Sequence, residues 1–419
     1  MSCKIKSVKA RQIFDSRGVP TIEAKITLEN GITGRASVPS GASTGRYEAY
    51  EKRDGSDIFG GKSVFQAVSI INEKINSILC GEDIYNQHKI DSLMIEADGT
   101  ENKSNFGANA ILAVSLSAAR AASNSLSIPL FYYLGGMTAT SLPLPLMNIL
   151  NGGKHANNNL NIQEFMIIPT SAESFQDAMR IGTDVYRSLK KLLETAGLST
   201  AVGDEGGFAP DLKSDDEALD YILKAIETAG YKPYEDVSIA LDCAASEWFQ
   251  NGKYTLLKSC VSYTQKELSD YLSNLLNKYP IVSIEDPFSE EDFDAFASFC
   301  DLYPVQIVGD DLFVTNPERL SLGIDKGAAN AILIKPNQIG SLTETLTTIK
   351  LAKQNGYETV ISHRSGETDD SFISDLAVAV GASQIKAGAP CRGERLSKYN
   401  RLLMIEQILG KRSEFFSFF

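Results

Sequence analysis

From Pro143 onward, short apolar runs recur, separated by longer, more polar stretches with helical spacing. They occupy 143–150, 164–169, 237–243, 281–287, 305–311, 331–336, 358–363 and 384–387. Several are apolar without alternation, as strands buried on both faces should be. Strands alternating with helices predict a parallel sheet, and eight of them fit a closed (β/α)8 barrel. An open doubly wound sheet is the competing arrangement, but no GxGxxG follows a strand to support its dinucleotide-binding form.

The beginning of the chain has a different rhythm. Ile22, Ala24, Ile26 and Leu28 alternate with Glu23, Lys25 and Thr27, which predicts a half-buried strand. Asn30-Gly31 behind it is a hairpin turn signal. Ser40-Gly41-Ala42-Ser43-Thr44-Gly45 is a loop of small residues lacking the lysine of a P-loop. Segments 63–79 and 105–125 have helical spacing, with Ala108, Ile111, Leu112, Val114 and Ala118 on one apolar stripe. The fold class expected is therefore α/β: an N-terminal α+β cap over 1–130, then an eight-stranded barrel over 140–419.

Composition narrows the function classes. The chain has 419 residues, 43% of them hydrophobic and 22% charged, ordinary values for a globular protein of two domains. A formal net charge of −13 argues against direct nucleic-acid binding, which needs a basic face. It leaves room for an anionic small molecule, because a metal or a few local cations reverse the field inside a cleft. The six cysteines are dispersed and form no CxxC pair, the pattern of reduced thiols. The N-terminus lacks the apolar core of a signal peptide, and no apolar run approaches the roughly 20 residues of a membrane span. A cytoplasmic protein is expected, with a secondary cell-surface or secreted pool left open.

The chemistry gathers where the barrel runs end. They lead into Asp242, Glu285-Asp286, Asp310-Asp311, Lys335, His363-Arg364-Ser365 and Lys386. In a barrel the carboxyl ends of parallel strands converge on one mouth. One polar strand end is unremarkable as a solvated loop charge; six in strand order are not. Each acidic doublet is ambiguous. We take its first member as facing the mouth, because it directly continues the apolar strand, and expect the second to serve a structural salt bridge. Asp242, Glu285 and Asp310 then form an all-oxygen set, which favours Mg²⁺ over zinc. Lys335 lies beside that metal-bearing cluster and a second lysine, Lys386; the metal's charge and the neighbouring ammonium are expected to lower its pKa and let it act as a base. Taking a proton α to a carboxylate is the reaction this combination suits. The glycine-rich loop 202–208 presents two carboxylates, Asp204 and Glu205; a loop carboxyl crowded by other anions is expected to have a raised pKa and to serve as a general acid. Arg364-Ser365 suits a phosphate. His155, Gln163 and Glu164 add polar groups near the first two runs.

The chain resembles the enolase family along nearly its whole length. The resemblance is carried by SGASTG at 40–45, DGTENKSNFGANAIL at 98–112, NGGKHANNN at 151–159, QEFMIIP at 163–169 and VGDEGGFAP at 202–210. SIEDP at 283–287, QIVGDDLFVTN at 306–316, LIKPNQIGS at 333–341, SHRSGET at 362–368 and GAPCRGERLSKYN at 388–400 continue it. It implies reversible dehydration of 2-phosphoglycerate to phosphoenolpyruvate with two Mg²⁺ per active site. Lys335 would be the base and Glu205 the acid. Asp242, Glu285 and Asp310 would bind the tighter metal, and Ser43 would join the second as its loop closes. His155, Gln163, Glu164, His363, Arg364, Ser365 and Lys386 would line the substrate pocket. The resemblance also implies an antiparallel second barrel strand and a homodimer or octamer. Two rival readings are another reaction of the same superfamily, and a non-catalytic structural or scaffold relative. The chain departs from the family pattern around 51–57 and in the phenylalanine-rich ending, Phe415-Phe416-Ser417-Phe418-Phe419.

Overall fold

The computed structural model describes residues 3–42, 45–55, 57–256 and 258–418. The cap opens with an antiparallel meander of β1 (Ile5–Phe14), β2 (Pro20–Leu28) and β3 (Thr33–Ser37). The alternation read from β2 is what the structure uses: Ile22, Ala24, Ile26 and Leu28 are fully buried. Gly31, at φ +87°, turns the chain between β2 and β3. Helical segments over 65–79 contain one π-helical turn at Ile71–Ile75. Helices α1 (Gln87–Asp98) and α2 (Ala108–Leu126) complete the cap.

Helix α2 departs from the single apolar stripe expected of it. It is buried on nearly every face. One side packs on β2 and β3, and Ser115 on another side accepts a 3.0 Å hydrogen bond from the Leu342 amide of the barrel. Small residues make this possible, and the closest approach is at Gly34 of β3. A Cβ there would lie 2.2 Å from the Ala121 nitrogen and 2.3 Å from the Ser117 carbonyl oxygen. Both obstacles are helix backbone and cannot swing aside. Gly34→Ala is therefore expected to destabilise the protein by about 1–3 kcal/mol in chemical denaturation, the usual cost of overpacking.

The barrel comprises β4 (Leu144–Asn151), β5 (Glu164–Ile168), β6 (Ser238–Asp242), β7 (Ile281–Glu285), β8 (Gln306–Gly309), β9 (Ala331–Ile334), β10 (Glu358–Ser362) and β11 (Gln384–Lys386). They close in the order β7-β8-β9-β10-β11-β4-β5-β6. All neighbours are parallel except at β5, which is antiparallel to both β4 and β6. This corrects the all-parallel reading of the apolar runs and agrees with the family resemblance. The outer helices are α3 (Phe175–Thr195), α4 (Asp215–Thr228), α5 (Gln265–Lys278), α6 (Phe293–Leu302), α7 (Pro317–Lys326), α8 (Leu342–Gln354), α9 (Phe372–Ala379) and α10 (Gly393–Leu409). Among the described residues no single helix is long and apolar enough to cross a membrane.

Two cores result. An inner cluster fills the barrel with Leu144, Leu146, Met166, Ile168, Ala240, Val282, Val308, Ala331, Leu333 and Val360. The larger cluster joins the outer strand faces, the helices and the cap. At the amino end of the barrel, Glu414–Phe415 pairs with Ser141–Leu142, and Phe415, Phe416 and Phe418 pack against the inner cluster. The aromatic tail is thus a plug on the barrel floor, far along the strands from their polar ends. Deleting 415–419 is expected to cost about 2 kcal/mol of stability, since a fully buried Phe contributes about 1.5–3 kcal/mol and these are only partly covered. Thermal unfolding should shift by a few degrees, with solution size and turnover unchanged.

Candidate active site

The inward side chains of the barrel place the site through strand periodicity. Successive residues of a strand alternate faces, so the residue two beyond an inward apolar side chain is also inward. Ala240 leads in this way to Asp242, Val308 to Asp310 and Leu333 to Lys335. In β7 a register shift between Ile281 and Ser283 resets the alternation and puts Glu285 opposite Asp242. Because β5 runs backwards, its first residue lies at the same mouth, and Glu164 pairs with Asp242 on the other side. Glu164, Asp242 and Glu285 thus form a row across three neighbouring strands. The mouth above it has about 460 Å³ of space between atoms, part of it open to solvent.

Lys386 Nζ is surrounded by that row. It lies 3.2 Å from Glu164, 3.0 Å from Asp242 and 2.8 Å from Glu285, all of them buried. Burial lowers the affinity of this amine for its proton, yet the attraction of the three carboxylates outweighs it, and its pKa stands well above the usual lysine value. Burial raises Glu285 and Glu164 well above the carboxylate range; Asp242 adds to the first, and Glu205 to the second.

Lys335 makes a separate pair, 2.5 Å from Asp310 Oδ2. Gln338 donates to the other oxygen of Asp310 at 2.9 Å, and Thr315 donates to Gln338 at 2.8 Å while accepting from the Lys335 amide at 2.9 Å. Val314 and Thr315 hold left-handed backbone, φ +44° and +56°, an unfavourable choice for β-branched residues that the network sustains. Burial lowers Lys335, but Asp310 together with Glu285 offsets it and the net shift is upward; the lowering expected from the sequence rested on the charge of a bound cation as well as on Lys386. Burial raises Asp310, but Lys335 pulls it below its ordinary value overall.

The doublets do not separate as expected: Asp286 and Asp311 line the cavity together with Asp310, whereas Glu285 does not. Asp286, buried and at φ +43°, forms no salt bridge among the described residues, contrary to expectation. Its two oxygens instead accept the Asp310 and Asp311 amides at 2.9 and 2.7 Å, which holds the β8 loop in place. Asp242 and Glu285 come together around Lys386, whereas Asp310 lies with Asp286 and Asp311. Ser43 lies outside the described residues. The donors still suit a hard divalent cation: they are carboxylates at adjacent strand ends, and ammonium groups now satisfy their charge.

Across the mouth, Glu205 is delivered by a glycine turn. Gly206 has φ +89°, and a Cβ on Gly207 would meet Asn151 Oδ1 at 2.3 Å. Asn148 donates to Glu205 Oε2 at 2.9 Å, and His363 Nε2 lies 3.3 Å from the same oxygen. His155 Nδ1 stands between two acids, 3.5 Å from Glu164 and 3.7 Å from Glu205. Burial alone would raise Glu205, as expected, but His363 and His155 reverse the sign and hold it well below the carboxylate range. Glu164, on the other side of His155, is shifted the opposite way, upward, by burial and by Glu205. Burial also keeps both histidines neutral, His363 down to about 4.

Arg364 makes a two-pronged pair with Glu48, at 2.9 and 3.1 Å, and reaches Asn337 at 3.1 Å. The Ser365 hydroxyl accepts from the Ala42 amide at 2.7 Å and from Arg17 at 3.3 Å, tying the small-residue loop to the mouth. Gln163 donates to Asp242 at 3.3 Å. Of the residues singled out by sequence, His155, Gln163, Glu164, Glu205, Asp242, Asp310, Lys335, His363, Arg364, Ser365 and Lys386 line one cavity. Glu285 lies beneath it against Lys386. Sequence reasoning missed Glu48, Asn148 and Gln338. Asn148 had a visible signal, a polar residue inside an apolar strand.

Comparison with known proteins agrees with this geometry. Residues 5–134 match the family description "Enolase, N-terminal domain", and residues 139–417 match "Enolase, C-terminal TIM barrel domain". A protein named enolase from Natranaerobius thermophilus is 56% identical over 407 residues, which cover 97% of this chain and 95% of that protein.

Proposed function

This chain belongs to the enolase family, and on that premise we propose that it catalyses the reversible dehydration of 2-phosphoglycerate to phosphoenolpyruvate with two Mg²⁺. The observation that carries the reading is one cavity lined by Lys335, by strand-end carboxylates and by a histidine-flanked Glu205. Lys335 Nζ takes the proton from C2. Glu205, with the proton held in the buried Glu164–Glu205 pair, protonates the C3 hydroxyl as it leaves as water, and the C2 electron pair becomes the C2–C3 double bond. Asp242, Glu285 and Asp310 would hold one divalent cation and Ser43 would serve the second; when bound, they would supply positive charge that weakens the lysines' hold on their protons and offsets charge developing on the substrate carboxylate. Arg364 and Ser365 bind the phosphate, the Glu48 carboxylate now standing where phosphate oxygens would dock on the guanidinium. His155, Gln163, His363 and Lys386 orient the remaining polar groups.

Family membership supports a homodimer or octamer working in the cytoplasm. It also supports a division into a cap over 1–130 and a barrel over 140–419. The function is tested by following ultraviolet absorbance of the enol product from 2-phosphoglycerate. Turnover that requires Mg²⁺ and stops with a chelator supports the reading. A folded, Mg²⁺-loaded protein without turnover rejects it.

A further inference from the structure

Arg395, in the first turn of α10, has no exposed surface and does not line the cavity. Its guanidinium nevertheless reaches both loops that carry the acid side of the site. Nη1 donates to His363 Nδ1 and to the Arg364 carbonyl, each at 2.6 Å. Nη2 donates to the Ser365 carbonyl at 2.5 Å and the Asp204 carbonyl at 3.1 Å. The approach depends on Gly388, at φ +84°. A Cβ there would meet the Glu205 carbonyl at 2.8 Å, Arg395 Cδ at 2.9 Å and His363 Cε1 at 3.1 Å.

Arginine only donates hydrogen bonds. His363 Nδ1 must therefore be the acceptor, which leaves the ring proton on Nε2. That nitrogen lies 3.3 Å from Glu205 Oε2 without completing a hydrogen bond, so an N–H rather than a lone pair stands beside the carboxylate. We propose that Arg395 is a positioning residue that fixes the Nε2–H tautomer of His363 and so holds Glu205 in place for the proposed dehydration. Without the guanidinium, Nδ1 is open to a proton. The imidazole then either turns a lone pair toward Glu205 or becomes a cation. Either state changes the proton affinity and aim of Glu205 while leaving Arg364, Lys335 and Lys386 with their own partners.

The catalytic part rests on the proposed function; the tautomer does not, so the two fail separately. The chain has only three histidines, His88, His155 and His363, which makes ring-nitrogen NMR of the full-length protein tractable. In the wild type, His363 should show the neutral Nε2–H pattern from pH 8 down to about 5. In Arg395→Gln it should show Nδ1–H or the cation at neutral pH. The kcat should fall about 100-fold, with KM for 2-phosphoglycerate within about twofold. Guanidinium added to Arg395→Gly should restore part of the kcat. Arg395→Met, which keeps much of the apolar stem but has no donor, serves if the glutamine variant does not fold, and the same ring shift is expected. A wild-type His363 protonated on Nδ1, or an unchanged ring pattern in a folded variant, overturns the proposal. An altered ring pattern with unchanged kcat overturns the catalytic role alone.

Discussion

Lys335→Met lowers turnover of 2-phosphoglycerate by at least about 1,000-fold, within the range that a positioned general base contributes. Methionine keeps much of the apolar stem, so packing against the barrel survives while the proton acceptor is lost. The affected group is specific. Asp310 loses one partner but keeps Gln338 at 2.9 Å, and the Lys386 cluster is untouched. The KM for 2-phosphoglycerate should therefore change by no more than a few-fold, as expected for an interaction used mainly in the transition state. Steady-state kinetics at saturating Mg²⁺ read both quantities. A loss below tenfold would place the base elsewhere in the mouth.

Lys386→Met has its largest effect on the metal-free protein. The ammonium is the counter-charge for Glu164, Asp242 and Glu285, each buried. Removing one partner of a buried ionic cluster leaves the others uncompensated, at about 3–5 kcal/mol. The deficit depends on pH. Burial has raised Glu164 and Glu285 well above the carboxylate range, and losing the ammonium raises them further. Carboxyls with raised folded-state values favour the folded state in acid, and that contribution disappears as pH climbs through those values. The loss is thus smallest in acid and grows toward neutrality. Mg²⁺ should recover part of it, since a ligand at 100 times its Kd adds about 2.7 kcal/mol. Denaturant unfolding of the variant and wild type, each with chelator and with Mg²⁺, measures this. An equal deficit in both conditions would mean that Mg²⁺ does not bind among these carboxylates.

Much of the site was legible because side-chain period and strand ends carry it. Asp242, Asp310 and Lys335 each follow an inward apolar residue by two positions, a relation visible in the sequence once the strands are placed. The direction of β5 was not visible, because an apolar run buried on both faces reads the same either way; only the family resemblance supplied it. The encircled burial of α2 was also hidden, since small residues such as Ala and Ser do not announce how many neighbours they admit. The sign of the shift in the glycine-rich loop was misread because the argument counted the surrounding anions but not the two histidines that stand nearer to Glu205. Arg395 was passed over because it lies in GERLSK, a run rich in charge that reads as a solvated helix start; its complete burial appears only with the fold.

Proton removal and hydroxyl loss can be separated, and exchange at C2 of 2-phosphoglycerate in deuterated water separates them. Glu205→Gln should incorporate deuterium at C2, through Lys335, while forming little phosphoenolpyruvate. Lys335→Met should do neither. Deuterium incorporation that persists in folded, Mg²⁺-loaded Lys335→Met would contradict the assignment of Lys335 as the group that takes the proton.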